Sequence, residues 1–171
     1  MKRECKIRTP LGEMSALLEE DAVLELLFPG QKYATEIKGE LQDDPDHPVF
    51  RELRRQLEAY FAGRLLTFDL PLAPKGTEFR MAVWKLLREI PFGETVTYGS
   101  LAGKLTELRH GCTPAAQAVG GAVGHNPISI IIPCHRVVGA DGTLTGYAGG
   151  LDRKSFLLAL ENAKLPDKVK K

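Results

Sequence analysis

The sequence predicts an α/β fold in two parts, a small strand-and-helix N-terminal half followed by a mostly helical C-terminal half. Apolar and polar residues alternate at the start of the chain, as they do in strands, whereas helical spacing dominates after residue 75. Between the two parts, Leu70–Gly76 contains two prolines and indicates a linker. A chain of 171 residues is long enough for two small domains, which we place at residues 1–74 and 75–171.

Three antiparallel strands and one helix are expected in the N-terminal half. The strands are Lys6–Thr9, Met14–Leu18 and Ala22–Phe28. Turns at Pro10–Gly12 and Pro29–Gly30 follow the first and third strands. After a polar loop, the spacing of apolar residues predicts a helix over Val49–Ala62 with Gly63 as its C-cap. One face of this helix is apolar and carries Leu53, Leu57, Tyr60 and Phe61.

Four helices and one short buried strand are expected in the C-terminal half. The first helix begins at the N-cap Thr77 and is ended by Pro91–Gly93. The other helices are Tyr98–Leu108, Pro114–Val123 and Asp152–Ala163, and the strand is Ile128–Ile132. Thr113, a hydroxyl N-cap followed by Pro114 at the first helical position, is a strong start signal. The second and third helices, joined by a turn containing Gly111, form a helix-turn-helix pattern.

The third of these helices has almost no long side chains. Its glycines Gly120, Gly121 and Gly124 fall within five residues, and a glycine inside a helix costs about 1 kcal/mol relative to alanine. Close approach to another surface would compensate for this cost. That surface is either a neighbouring helix or a DNA groove, and small side chains suit the minor groove, which is about 6 Å wide.

Charge is distributed unevenly along the chain, although the net charge is only +1. Residues 1–74 hold 10 basic and 14 acidic residues, whereas residues 75–171 hold 13 and 8. A basic C-terminal half suits a polyanion such as DNA. No apolar run approaches the roughly 18 to 20 residues of a membrane span, and the start of the chain has no signal-peptide core. We therefore expect a cytoplasmic protein without a membrane partner.

Cys134 is set apart from the other two cysteines by its neighbours. Three scattered cysteines without a CxxC pair favour free thiols, and Cys5 with His47 makes no convincing metal set, so we expect no metal site. A thiol attacks as its thiolate, and a nearby imidazole lowers its pKa. Adjacent residues of an extended strand face opposite sides. Cys134 and His135 therefore cooperate only if the chain turns there or a water bridges them.

A series of short motifs follows one another through the C-terminal half. They are Phe79, Val83-Trp84, Pro91–Gly99, Ala118–Gly120, Asn126-Pro127, Pro133–Val138, Gly146–Leu151 and Lys154–Glu161. Together they resemble the 6-O-alkylguanine-DNA alkyltransferases, also called methylated-DNA–protein-cysteine methyltransferases, whose active-site signature matches Pro133–Val138. The resemblance implies a ribonuclease-H-like N-terminal domain and a winged helix-turn-helix-type C-terminal domain. We expect no cofactor.

The resemblance also implies a catalytic set. Cys134 would accept the alkyl group in a single irreversible displacement that releases guanine, and His135 would take the thiol proton through a water. Glu161 would orient the histidine, as the third group does in related relays. It lies on the last predicted helix, whose apolar residues Phe156, Leu157 and Leu160 are expected to face the core.

A second set of residues would contact the substrate or DNA. The set comprises Tyr98, Gln117, Ala118, Val123, Asn126, Arg136, Tyr147, Ala148 and Lys154. The tyrosine matching Tyr98 pushes on the target phosphate and donates a hydrogen bond to guanine. Asn126 would fix a turn beside the site, and Tyr147 and Lys154 would lie near the leaving group and the pocket wall. The partner would be double-stranded DNA with an alkylated guanine flipped out of the stack, and the protein a monomer.

Two features depart from the family pattern. Gln117 stands where many relatives carry an arginine that enters the base stack, so it offers a hydrogen bond without a charge. The stretch Lys104–Pro114 is also several residues longer than in compact relatives.

Three other functions are alternatives to this one. Alkyltransferase-like binding proteins share the scaffold but typically carry tryptophan at the position of Cys134, which argues against that class. A helix-turn-helix regulator explains the basic half but not Tyr98, Asn126 and Glu161 together. A cysteine hydrolase would need an oxyanion arrangement, and the sequence offers none that is recognisable.

Overall fold

The computed structural model describes residues 2–31 and 39–163. The chain divides into two compact units. One comprises Met1–Lys75 with Pro127–Ser129, and the other comprises Gly76–Asn126 with Ile130–Lys171. Among the described residues, no helix combines the length and the apolar character needed to cross a membrane.

The first unit is built on a four-stranded sheet. Its strands are β1 (Lys2–Thr9), β2 (Gly12–Glu19), β3 (Ala22–Leu27) and β4 (Leu41–Asp43). They lie in the order β3-β2-β1-β4; the first three are antiparallel neighbours, as predicted, and β4 is parallel to β1. β4 was missed because three residues, two of them polar and exposed, show no alternation.

Helix α1 (Pro48–Phe61) covers one face of this sheet and confirms the predicted helix. Leu53, Leu57 and Tyr60 are buried, whereas Phe61 is half-buried. The imidazole of His47 accepts a hydrogen bond from Val49 N at 3.1 Å and caps the helix.

The outer edge of β3 is covered by two extended segments. Val23 N donates to Pro71 O, and Leu26 N donates to Pro127 O. The proline-rich stretch after residue 70 is therefore partly paired with the sheet. The predicted strand Ile128–Ile132 is wrong, because only Ile128 forms a bridge and Ile130 turns the chain with φ of 72°. Ile128, Ile130 and Ile132 are buried without forming a strand, which accounts for the apolar run.

The second unit is mostly helical. Its elements are α2 (Glu78–Leu87), β5 (Val96–Thr97), α3 (Tyr98–Leu108), α4 (Ala116–Gly124), a 3₁₀ turn (Cys134–Arg136), β6 (Val137–Val138) and α5 (Leu151–Leu160). Thr77 caps α2 as predicted, since its hydroxyl accepts a hydrogen bond from Arg80 N. Trp84 Nε1 donates to Ala122 O at 2.8 Å and ties α2 to α4.

The start of α4 differs from the prediction. Its N-cap is Ala115, with φ of −63° and ψ of 142°, and no side chain caps the helix. The backbone is still extended at Ala115, so Thr113 lies too early in the chain to cap the first turn. The predicted start at Pro114 is therefore wrong.

The buried face of α5 also differs from the prediction. Phe156 is 41% exposed, and the buried stripe is Lys154, Leu157, Leu158 and Glu161. This spacing of three, four and seven residues is one helical face. Of the three apolar residues predicted to face the core, Leu157 is buried and Leu160 is half-buried, so only Phe156 contradicts the prediction. Hydrophobicity alone does not identify the buried face because two of its four members are charged.

Candidate active site

Cys134 and His135 lie in one tight turn. The 3₁₀ turn Cys134–Arg136 follows Pro133, and Arg136 N donates to Pro133 O at 3.0 Å. Successive side chains in such a turn are about 120° apart rather than on opposite faces. The chain turn that cooperation between the thiol and the imidazole requires is therefore present.

The thiol of Cys134 is held by Asn126. Asn126 Nδ2 donates to Cys134 Sγ at 3.1 Å and to Ile132 O at 2.7 Å, which fixes the loop before the turn. Cys134 is 5% exposed. Burial raises the pKa of the thiol, while the hydrogen bond from Asn126, the charge of Lys154 and the hydroxyl of Tyr147 oppose this rise. Three groups thus favour the thiolate against the cost of desolvation.

The imidazole of His135 is oriented by a carboxylate. His135 Nε2 donates to Glu161 Oε2 at 2.7 Å, and both side chains are fully buried. This bond places the ring proton on Nε2 and leaves a lone pair on Nδ1. Nδ1 is buried and has no hydrogen-bond partner among the described residues. The imidazole therefore has one proton-accepting position inside the site.

Arg136 neutralises the carboxylate. Arg136 Nε donates to Glu161 Oε1 at 2.8 Å, Nη2 donates to Glu161 Oε2 at 3.0 Å, and Nη1 donates to Ile90 O at 2.6 Å. Burial would raise the pKa of Glu161, but its bonds to His135 and Arg136 outweigh burial and lower it. Burial lowers the pKa of His135 despite the adjacent carboxylate. An ionised Glu161, a charged Arg136 and a neutral His135 result.

Lys154 is a buried cation near the thiol. It is 0% exposed, and its Nζ donates to Thr145 O at 2.9 Å and to Gly146 O at 3.2 Å. Burial lowers the pKa of Lys154 to about 8, and Cys134 opposes this shift. Tyr98 Oη donates to the same Thr145 oxygen at 3.4 Å. Two side chains thus fix the backbone that leads into Tyr147.

The remaining predicted residues occupy two places. Tyr147 and Ala148 are half-buried on the loop before α5, and Val123 is buried on α4. Gln117 and Ala118 are exposed at the start of α4. The site thus brings together Cys134, His135, Asn126, Tyr147, Lys154 and Glu161, whereas Gln117 and Ala118 lie on an outer surface.

Arg136 does not face outward. Its guanidinium bonds are made to Glu161 and to Ile90 O, so the predicted DNA contact by Arg136 finds no support in this placement. Gly93, whose N–H donates to Glu161 Oε1 at 3.4 Å, was not singled out as a site residue. No sequence signal indicated this contact or the pairing of Arg136 with Glu161, because the residues are distant in the chain.

Gly120 and Gly121 lie on an open part of α4. A Cβ placed on either residue would meet no atom within 4 Å apart from the neighbouring backbone of its own helix. Tight packing against a neighbouring helix therefore does not explain these two glycines.

Two family models match the chain. One, described as the ribonuclease-like domain of 6-O-methylguanine DNA methyltransferase, covers residues 3–74, and the DNA binding domain of the same protein covers residues 78–163. A curated relative from Methanosarcina mazei, a methylated-DNA–protein-cysteine methyltransferase, is 47% identical over 93% of this chain and 96% of its own length. The protein of that name from Haemophilus influenzae is 47% identical over 94% and 86%.

The chain belongs to the methylated-DNA–protein-cysteine methyltransferase family. A crystal structure of Mycobacterium tuberculosis OGT in complex with DNA is similar over 98% of this chain and 96% of that one, with a TM-score of 0.82 and 42% identity. The predicted family, two-part fold and enzyme class are confirmed. The chain is a methyltransferase of DNA alkyl repair, and the regulator and hydrolase alternatives are not retained.

Proposed function

We propose that this methyltransferase flips 6-O-alkylguanine, mainly 6-O-methylguanine, out of duplex DNA and transfers the alkyl group irreversibly to its own Cys134. The observation that carries the proposal is the turn in which a buried thiol is followed by a neutral imidazole whose other nitrogen is bound by Glu161. A nucleophile, a base and a group that orients the base are thereby present together.

The proton of the thiol is proposed to leave through a bridging water to His135 Nδ1. Nδ1 is the acceptor because Nε2 donates to Glu161. Asn126 Nδ2, at 3.1 Å from Sγ, then stabilises the thiolate by hydrogen bonding, and Lys154 stabilises it by charge. This arrangement offsets the burial that raises the pKa of Cys134.

In the displacement, the S–C bond forms while the bond between the alkyl carbon and the guanine oxygen breaks. The bonding electron pair stays on guanine, which then takes up a proton. The hydroxyls of Tyr98 and Tyr147 are the candidate donors to the base, since negative charge develops there as it leaves. His135 then returns, through water, the proton that it took from Cys134. Overall, one proton moves from sulfur to guanine. The product thioether is neutral and stable, and each molecule therefore acts once.

Helix α4 is proposed as the DNA-facing element, because Gly120 and Gly121 are open and Gln117 and Ala118 are exposed. The similar Mycobacterium tuberculosis structure, solved in complex with DNA, supports DNA as the partner. Gln117 would occupy the place vacated by the flipped base, and Val123 and Ala148 would leave room for it. Because Cys134 is nearly buried, a base still stacked in the duplex is an unsuitable substrate.

The predicted domain boundary between residues 74 and 75, the monomeric state and the cytoplasmic location belong to this proposal. A displacement that needs only a thiol and a proton relay requires no cofactor. The division of the chain near residue 75 supports the boundary.

The test is intact-protein mass spectrometry after incubation with a duplex containing one 6-O-methylguanine. We expect the mass of a single methyl group, located at Cys134 by peptide mapping, and no further reaction with excess DNA. Cys134→Ala should bind the duplex without gaining mass, and Cys112→Ala, at an exposed cysteine, should react normally. Methylation at another residue, or several released guanines per protein molecule, would refute the proposal.

A further inference from the structure

The edge of β1 is covered over only half of its length. β4 pairs with Lys2, Arg3 and Glu4, and the last contact is Asp44 N donating to Glu4 O at 3.1 Å. The remaining part of the strand, residues 5–9, has β2 on one side and no strand on the other among the described residues. The opposite edge of the sheet differs, because two segments cover β3.

The direction of the free peptide groups follows from that last contact. The carbonyl of Glu4 points away from β2, and alternate residues of a strand share a direction. The N–H and C=O groups of Lys6 and Arg8 therefore also point to the uncovered edge. No backbone hydrogen bond of the described residues engages these groups.

A groove of about 360 Å³ runs along this edge, between β1 and α1. One side of the groove is lined by five consecutive residues, 6–10. Alternate side chains of a strand face opposite ways, so a groove on one face of the sheet would be lined by every second residue only. The groove therefore follows the backbone edge. Leu57 and Phe61 of α1 line the other side together with Arg54 and Glu58.

The two faces of this edge differ in chemistry. Ile7 is buried on the face covered by α1, where Leu57 is also buried. Lys6 and Arg8 are exposed on the opposite face, and no ion pair of the described residues engages them or Arg54. A strand added at this edge would thus place apolar side chains towards α1 and acidic ones beside Lys6 and Arg8.

We propose that this edge of β1 binds an extended segment of a partner protein in which acidic and apolar residues alternate. The partner would add a fifth strand to the sheet by β-augmentation. DNA is a poorer occupant because phosphates only accept hydrogen bonds, whereas the edge offers both N–H and C=O groups. A second copy of β1 is also a poorer occupant, since it would place like charges opposite each other.

The probe is a capped peptide of about seven residues alternating glutamate and valine, long enough for one strand. Residue-resolved amide hydrogen exchange is measured by NMR with and without the peptide. We expect exchange at Lys6 and Arg8 to slow by about tenfold or more at saturation. Cys5 and Ile7, whose amides face β2, should change little. A peptide alternating lysine and valine should protect neither residue.

Two variants sharpen the test. Lys6→Pro removes the outward N–H without removing a bond of the β1–β2 ladder, and proline is tolerated on such an edge; Lys6→Gln removes only the charge. We expect the proline variant to bind the glutamate peptide several-fold more weakly than the glutamine variant.

If the proline variant fails to fold, the double change Lys6→Glu with Arg8→Glu should reverse the preference to the lysine peptide. Three outcomes would overturn the proposal. They are protection of Cys5 and Ile7 as strong as that of Lys6 and Arg8, equal binding of both peptides, and protection by duplex DNA in place of the peptide.

Discussion

Glu161 organises the buried polar part of the site by serving several donors at once. It accepts hydrogen bonds from His135, Arg136 and Gly93. Burial lowers the pKa of His135 and the charge of Arg136 adds to this shift, so the imidazole is oriented by Glu161 and still uncharged. A positioned neutral imidazole can accept a proton, whereas a charged one cannot.

Replacing the carboxylate tests this role. Glu161→Gln keeps the shape but leaves Arg136 buried without an anion, and its amide no longer fixes the imidazole tautomer. We expect single-turnover methyl transfer to slow by about tenfold to a hundredfold, measured by rapid quench with labelled duplex. Glu58→Gln, at an exposed position of α1, is the matched control. Full-speed transfer by a folded Glu161→Gln protein would contradict the relay.

Lys154 is expected to act by its charge. Its pKa of about 8 leaves it mostly protonated at neutral pH. Lys154→Met should raise the pKa of Cys134 further, lower the transfer rate at pH 7 by about tenfold and move the rate profile to higher pH. Single-turnover rates from pH 6 to 10 provide the measurement, with Lys85→Met on the exposed side of α2 as the control. A uniform loss of rate with no shift of the profile would indicate that Lys154 only supports the loop.

At this scale the sequence motifs named the reactive pair together with Glu161, Asn126 and Lys154, but not the buried role of Arg136 or the contact of Gly93. Cys134 and His135 were recognisable because they are adjacent and lie in a distinctive motif. Arg136 was placed among the residues expected to contact the substrate or DNA. Its true partners, Glu161 and Ile90 O, are distant in sequence, and no local pattern announces such pairings.

Among the elements, α5 shows why a functional helix is hard to orient from hydrophobicity. Its buried stripe contains Lys154 and Glu161, which are seven residues apart and therefore two turns apart on one face. Phe156 was expected inside as one of the apolar residues of the helix, and it is exposed. The strands β1, β2 and β3 were predictable because their alternation is regular.

Helix α4 allows stability and DNA binding to be separated. Gly121 has open space where a Cβ would be placed, so Gly121→Ala should raise the free energy of unfolding by roughly 0.5–1 kcal/mol. If the helix approaches DNA closely, the added methyl group should weaken binding to duplex DNA, measured by fluorescence anisotropy. Gly103→Ala on α3, also open, is the control and should raise stability without that loss. Unchanged affinity in Gly121→Ala would argue against a close approach at this point.

For the whole molecule, stability should depend on pH through the buried histidine. The pKa of His135 is lowered by burial, so the folded protein binds this proton less readily than the unfolded chain, whose histidine titrates at about pH 6.5. The stabilisation that comes from keeping His135 neutral is therefore complete above about pH 6.5 and is lost as the pH falls. From about pH 6.5 downwards, the free energy of unfolding should fall by up to about 1.4 kcal/mol per pH unit.

Urea unfolding at a series of pH values measures this slope. His135→Gln, which retains an amide donor for Glu161, should have a shallower dependence than the wild-type protein between about pH 5 and 7. Equal slopes in the two proteins would show that the histidine is not held neutral in the folded state.

The two-part organisation was visible in the proline-rich stretch, the change of periodicity and the change of charge. The return of Pro127–Ser129 to β3 was not, because a pairing between distant segments leaves no local signature in three residues. These residues are held at the outer edge of β3 by Leu26, whose N–H donates to Pro127 O and whose C=O accepts from Ser129 N.

That returning segment limits how modular the molecule is. Pro127–Ser129 complete the first unit, yet they lie in the chain between Asn126 and Cys134, the donor and acceptor of the hydrogen bond at the reactive sulfur. If residues 1–75 were replaced as one block by those of a relative, the new sheet would have to pair with the original Pro127–Ser129. Successful chimeras should therefore need a second junction, cut into the loop that holds the thiol.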